Sequence, residues 1–258
     1  MDTIDTFFVA GLKQGENPDM GFELYSSEHI IALAFCAIVI ASLCRIFQRF
    51  GGKGRRKMQL ALGVLVILCE VVREINLAKD GALTIAYLPL HLCSFAVFFT
   101  FFHSLKPGQR VGNFLYSLCL PGALCALLFP DWTAYPIWCL HSIIGFLSHT
   151  LLVSYAFMNV VAGEIRPQLR HLPWSFFMLL VLAAPIYVFD VIFELNYMFL
   201  MWPLSGTPLQ IFADIFGDRL FIIGYIPMIA VAWLALYLPY IAEQIAARIA
   251  VRRKSTLP

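Results

Sequence analysis

"HIIALAFCAIVIASLC", His29 to Cys44, runs for sixteen residues without a charge. With the next three residues it makes an apolar run of about 20, the length that crosses roughly 30 Å of hydrocarbon as a helix. Working outward from 29–47, the same criterion marks six further segments, at about 58–77, 83–104, 111–129, 137–161, 174–195 and 220–247. The chain is 60% hydrophobic and 13% charged, with a mean hydropathy of +0.80. Soluble domains are about 45–50% apolar and about 25% charged, so a soluble globule is excluded. Strands of a barrel would alternate at every second residue, and these runs do not. The sequence predicts an all-α membrane protein, a bundle of seven transmembrane helices forming one polytopic domain over 1–258.

Charge is sorted by side. Lys and Arg number 18. With the N-terminus outside, the inner joints hold Arg45, Arg49, Lys53, Arg55, Arg56, Lys57, Lys106, Arg110, Arg166 and Arg170, and the tail adds Arg248, Arg252, Arg253 and Lys254. The outer segments hold Lys13, Lys79 and Arg219, and Arg73 lies within a span. The positive-inside rule therefore puts the N-terminus outside and the C-terminus in the cytoplasm. Asp2, Asp5, Glu16, Asp19, Glu23 and Glu28 fit an outer N-terminus, and no basic region with a cleavage site precedes the first span, so no signal peptide is expected. Orientation alone explains the basic clusters, and no nucleic-acid partner is expected.

All seven cysteines fall in predicted spans, which gives no disulfide framework. No CxxC or HExxH spacing is present, so neither a metal nor a cofactor is expected. "NYMFLMWPLSGTPLQIFADIFGD", Asn196 to Asp218, is too apolar for a plain loop and is broken by Pro203, Gly206 and Pro208. It reads as a re-entrant or interfacial segment over the outer face.

Ionisable groups within spans are costly and mark candidate sites. Here they are Glu70, Arg73 and Glu74 with Asn76, then His91, His141 and His149, then Asp190 and Glu194 with Asn196. Placed by depth, most of them gather in the outer half; His91 lies roughly 12 Å past the outer end of span three at 1.5 Å per residue. Glu70, Arg73 and Glu74 share a helix face at i, i+3, i+4, as do Asp190 and Glu194 at i, i+4. On span five His141, Gly145, Ser148, Tyr155 and Asn159 fall within about 40° of one line, with His149 about 80° off it. Each of the four prolines Pro89, Pro121, Pro185 and Pro227 removes one N–H and frees a carbonyl four residues earlier, that of Ile85 in the case of Pro89.

"YLPLHLCSFAVFF", Tyr87 to Phe99, offers His91 and Cys93 as a pair. On a continuous helix, side chains two apart point about 200° from one another, so a base for Cys93 has to come from another span, with His149 nearest in depth. Ser94 would share the face of His91. The plain alternative is polar glue between helices and buried thiols acting as small hydrophobes.

"FELYSSEH" (Phe22–His29), "LPLHLCS" (Leu88–Ser94), "LSHTLL" (Leu147–Leu152), "NYMFL" (Asn196–Leu200) and "LYLPY" (Leu236–Tyr240) occur in this order over most of the chain. In these the chain resembles the YwaF family of bacterial integral membrane proteins, and more distantly a eukaryotic transmembrane family implicated in moving acyl chains on phospholipids through a cysteine and a histidine. In the latter pattern the cysteine immediately precedes the histidine, where this chain has Leu90. The resemblance implies a multi-pass protein of the bacterial cytoplasmic membrane. The expectation is an enzyme acting on membrane lipids by acyl transfer or hydrolysis. His91, His149 and Cys93 would carry the chemistry, and Arg73, Glu70, Glu74, His141, Asp190, Glu194 and Asn196 would bind substrate. The rival reading is a proton-coupled carrier or binding protein for a small polar solute, with the same groups as a relay.

Overall fold

Ser26 starts the first long helix: its hydroxyl accepts the His29 N–H at 3.4 Å, satisfying one of the donors that a helix start leaves open. The computed structural model describes residues 3–10 and 20–255, and the side chains of 6–10 and 20–242. Asp2, Lys13, Glu16 and Asp19 lie outside the described residues. So do the side chains of Asp5, Arg248, Arg252, Arg253 and Lys254. The chain is all-helical, with no strand among the described residues: α1 Thr3–Phe8, α2 Ser27–Arg49, α3 Gly52–Lys79, α4 Leu92–Leu105, α5 Gln109–Leu128, α6 Leu140–Val161, α7 Leu172–Phe193, α8 Pro208–Phe216 and α9 Tyr225–Ser255.

Among the described residues five helices are long and apolar enough to cross a membrane: α2, α5, α6, α7 (from Leu169) and α9 (through Ala242). The 28 residues of α3 reach about 42 Å, but its second half carries Glu70, Arg73 and Glu74. α4, at 14 residues, is apolar but too short to cross alone. Every predicted span thus meets a helix, except that 83–104 is helical only from Leu92, after a single 3-10 turn at Ile85–Tyr87. The segment predicted to lie over one face contains a 3-10 turn at Tyr197–Phe199 and the short helix α8.

The bundle is organised around α6, which packs against α2, α3, α4 and α5. Some 72% of its apolar window is buried, against 11% for both α2 and α7. The outer helices turn their apolar side chains outward: Ile31, Phe35 and Ile38 on α2, Phe177 and Ile192 on α7, and Leu234 on α9 are all more than half exposed. Such a surface is stable in lipid and not in water. Because hydrocarbon removes the hydrophobic drive between helices, packing and interhelical hydrogen bonds hold the bundle, each bond contributing about 0.6 kcal/mol.

Those bonds form a second polar layer, which the depth count did not include. At the end of the bundle opposite His91, Gln59 of α3 donates to Asn159 of α6 at 2.5 Å, and His103 of α4 pairs with the Tyr155 hydroxyl at 2.8 Å. Asn113 of α5 accepts the Gln168 N–H at 2.8 Å. Here too Arg55 pairs with Glu164 at 3.0 Å, and Arg56 donates to the carbonyls of Ser104 and Leu105. Polar side chains therefore gather at both ends of the bundle: Gln59, His103, Asn113 and Glu164 stand at this one, as does Asn159 from the span-five line.

The helix breaks are satisfied by neighbours. The Ser117 carbonyl, four residues before Pro121, accepts from the Trp233 indole at 3.0 Å, and the helix widens to a π turn over Leu115–Cys119. α3 and α4 touch closely at Gly63, where a β-carbon would strike Ser104. Gly63→Val is expected to lower stability by about 1–3 kcal/mol through overpacking, read as a lower thermal midpoint of the detergent-solubilised protein. Gly52→Ala, at a position with open space around it, should stay within about 0.5 kcal/mol of the parent.

Candidate functional site

Pro89 lacks an N–H and disfavours helical backbone at Leu88, so the chain runs extended at Leu88 and His91 before α4 begins. His91 is thus the N-cap residue of α4 and stands outside the helix that holds Cys93. The 200° separation expected of a continuous helix does not govern this pair, and Ser94 is buried in α4 without sharing a helical face with His91.

The His91 side chain reaches sideways to the segment after α7. Its Nδ1 accepts the Met198 N–H at 3.3 Å, and its ring sits 5.1 Å from that of Tyr197 and 5.5 Å from that of Phe199. A neutral imidazole that accepts at Nδ1 carries its proton on Nε2. The partner segment is strained: Glu194, Met198 and Phe199 all have positive φ, between 52° and 55°, though none is glycine. Each such residue costs of order 1–3 kcal/mol and persists only where its surroundings impose it. Here the Tyr225 hydroxyl donates to the Met198 carbonyl at 2.8 Å, the Tyr197 hydroxyl donates to the Ile85 carbonyl at 2.5 Å, and Asn196 ties the turn. The Asn196 oxygen accepts from Met201 and Trp202, and its amide donates to the Trp202 carbonyl. Although Asn196 lines the cavity, its hydrogen-bonding groups are committed to the loop, so the structure assigns it to holding the site's wall.

That wall encloses an open cavity of about 390 Å³, lined by His91, Asp131, Glu194, Tyr197, Phe199 and Trp202 among others. Asp131, in the joint between α5 and α6, was missed in the sequence because it lies outside every apolar run. It acts electrostatically on His91, Cys93, His141 and His149, and Arg73 also acts on all four. One electrostatic cluster therefore gathers most of the predicted residues.

Within it the two histidines differ. His149 Nδ1 lies 2.7 Å from the Gly145 carbonyl, which can only accept, so the proton is on Nδ1 and Nε2 is a bare acceptor. That Nε2 is buried without a partner, and the ring stacks on Trp132 at 5.2 Å. His141 stacks on Tyr135 at 4.1 Å. Arg73 donates from Nη2 to Glu70 at 2.8 Å, to Glu74 at 2.6 Å and to the Tyr87 carbonyl at 3.5 Å. Cys93 is partly buried and near Cys119 of the π turn. Asp190 is fully buried with both oxygens lacking a hydrogen bond, and the Tyr197 backbone is the donor facing it. Glu194, by contrast, is exposed at the cavity edge. No group of three metal-ligating side chains is present among the described residues.

A family model described as the TMEM164 family matches residues 24–237, a range that takes in three of the five quoted motifs whole and parts of the first and last. It describes membrane proteins and does not carry the YwaF name. No curated protein and no solved structure matches.

Tyr225→Phe removes the hydroxyl that holds the strained turn and leaves the packing of its ring. The expected outcome is faster hydrogen exchange over 197–202, by about five- to tenfold for one lost bond of about 1–1.4 kcal/mol, with protection in α6 unchanged.

Proposed function

The chain belongs to the TMEM164 family of membrane proteins, and on that premise we propose that it acts on an amphipathic membrane lipid by acyl transfer or hydrolysis. In this reading seven segments cross the bilayer (α2, α3, 83–105, α5, α6, α7 and α9), with the basic end in the cytoplasm. The His91 cavity then opens toward the outer leaflet of a bacterial cytoplasmic membrane.

The observation that carries the reading is the complementary protonation of two histidines in one electrostatic cluster. His91 presents an N–H donor, and His149 presents a bare acceptor. Acyl transfer needs one of each: a donor for the oxygen that becomes negative when the ester carbonyl is attacked, and a base for the attacking group. In the proposed sequence His149 Nε2 takes the thiol proton of Cys93 and the sulfur attacks the ester carbonyl. The ester C–O bond breaks, and the departing alkoxide takes the proton back from His149. Water or the hydroxyl of a second lipid then gives its proton to His149, attacks the thioester and releases Cys93.

Recognition of the head group falls to Arg73, whose Nη1 and Nε hydrogens can each meet an oxygen as single donors while the carboxylates hold Nη2. Glu70, Glu74, Asp131 and Glu194 outnumber that single cation. This balance favours a head group that brings its own positive charge beside the phosphate.

The test is lipid turnover by the purified protein with intact mass spectrometry. His149→Ala should lose about 10²–10⁴ in rate and His91→Ala about 10²–10³, while Cys93→Ala should abolish an acyl adduct seen in the parent. Turnover that survives Cys93→Ala would assign attack directly to the acceptor hydroxyl. Absence of turnover and adduct with every lipid class, together with histidine-dependent solute uptake into vesicles, would overturn the enzyme reading in favour of a carrier.

A further inference from the structure

At the end of the bundle away from His91, Arg110 in the first turn of α5 faces a 3-10 turn, Leu169–His171, that leads into α7. Arg110, Arg170, His171 and Trp174 line an open cleft of about 520 Å³. Neither arginine makes a hydrogen bond or ion pair among the described residues, and both act electrostatically on His171. Nε2 of His171 is enclosed and without a partner. Glu164, the acid of the adjoining loop, is already engaged by Arg55. Positive groups thus converge on a cleft with no counter-charge of its own.

The convergence is built into the packing. Gln109 donates to the Glu164 carbonyl at 2.8 Å and accepts the Arg166 N–H at 2.9 Å. One turn later Asn113 donates to the Arg166 carbonyl at 3.2 Å and accepts the Gln168 N–H at 2.8 Å. These four bonds fix the loop before α7 against the start of α5, which holds Arg170 and Arg110 on opposite sides of the cleft. Arg45 and Arg49, exposed at the same end on α2, line no such cleft.

We propose that this cleft binds the phosphate of an anionic phospholipid from the leaflet at the basic end of the bundle. Two guanidinium groups supply charge and paired donors for phosphate oxygens, and His171 lines the same space. A lipid is favoured over a soluble phosphate by what adjoins the cleft. Leu169 and Phe177 are half or more exposed, and Trp174 stands at the cleft edge as an interfacial ring does. Acyl chains held by their head group here would lie along that apolar face. The site is independent of the histidine cluster and does not need it to be catalytic.

The test is native mass spectrometry of the full chain released from phosphatidylcholine vesicles doped with increasing phosphatidylglycerol. The parent is expected to retain one phosphatidylglycerol, and Arg110→Ala with Arg170→Ala to weaken retention about thirtyfold, from two cations of about 1 kcal/mol each. Arg45→Ala with Arg49→Ala, the same loss of charge at the same end, should bind as the parent does. Circular dichroism and gel filtration confirm that each variant is folded, and Arg110→Lys with Arg170→Lys, which keeps the charge, should recover part of the affinity. Equal retention by all variants, equal loss in the α2 control, or full displacement by inorganic phosphate would overturn the proposal.

Discussion

Two lengths of broken backbone, 85–91 and 194–202, satisfy one another, and the candidate site exists because they do. In hydrocarbon an unpaired N–H or C=O costs several kcal/mol, so irregular chain is tolerated only where protein covers it. Pro89 frees the Ile85 carbonyl, and Tyr197 donates to it at 2.5 Å. The Met198 N–H, turned inward by a positive φ, is accepted by His91. Each break supplies what the other lacks. The cavity is the space left beside a helix that begins at Leu92, about two and a half turns later than its apolar run.

The same arrangement fixes the chemistry of the histidines. Bonded to an N–H, His91 must present a donor; bonded to a carbonyl, His149 must present an acceptor. His149 sits on α6, the most buried long helix of the bundle, and stacks on Trp132, so its ring is held by packing as well as by Gly145. His91 sits at a helix start and depends on a strained turn. A rigid acceptor and a donor mounted on a strained wall stand in one charged cluster. Structural glue has no need of a buried imidazole nitrogen left without a partner, as His149 Nε2 is.

Most of the fold was legible because apolar length is a strong signal. Seven apolar runs meet helices, and the Asn196–Asp218 segment is broken where its prolines and Gly206 placed the breaks. Span three failed because hydropathy counts Leu88, Pro89 and Leu90 as membrane residues whatever their backbone does. Once Pro89 had ended the helix, the angular argument about His91 and Cys93 lost its premise. Asp131 escaped because a search for charge inside spans passes over the joints, although joints between outer helix ends roof the same cavity. The signal was present: "FPDW" places the one acid of that joint between two apolar helices. The Gln59–Asn159 pair escaped for a different reason: Asn159 was visible on the span-five line, but the helix that supplies its partner is set by packing.

The two ends of the bundle treat cations oppositely, and the difference follows from dielectric. Arg73 lies in a partly buried cluster, where an unpaired guanidinium would be costly, and two carboxylates hold it by a single nitrogen. Pairing through Nη2 keeps the charge in place and leaves the Nη1 and Nε hydrogens as separate donors. Arg110 and Arg170 stand exposed at the opposite end, where water already solvates them, so they need no internal partner. Their cost is mutual repulsion across a fixed cleft, which an anion entering between them would relieve. Glu70 and Glu74 against one guanidinium leave that end an excess of negative charge, and the unpaired cleft leaves the other an excess of positive charge.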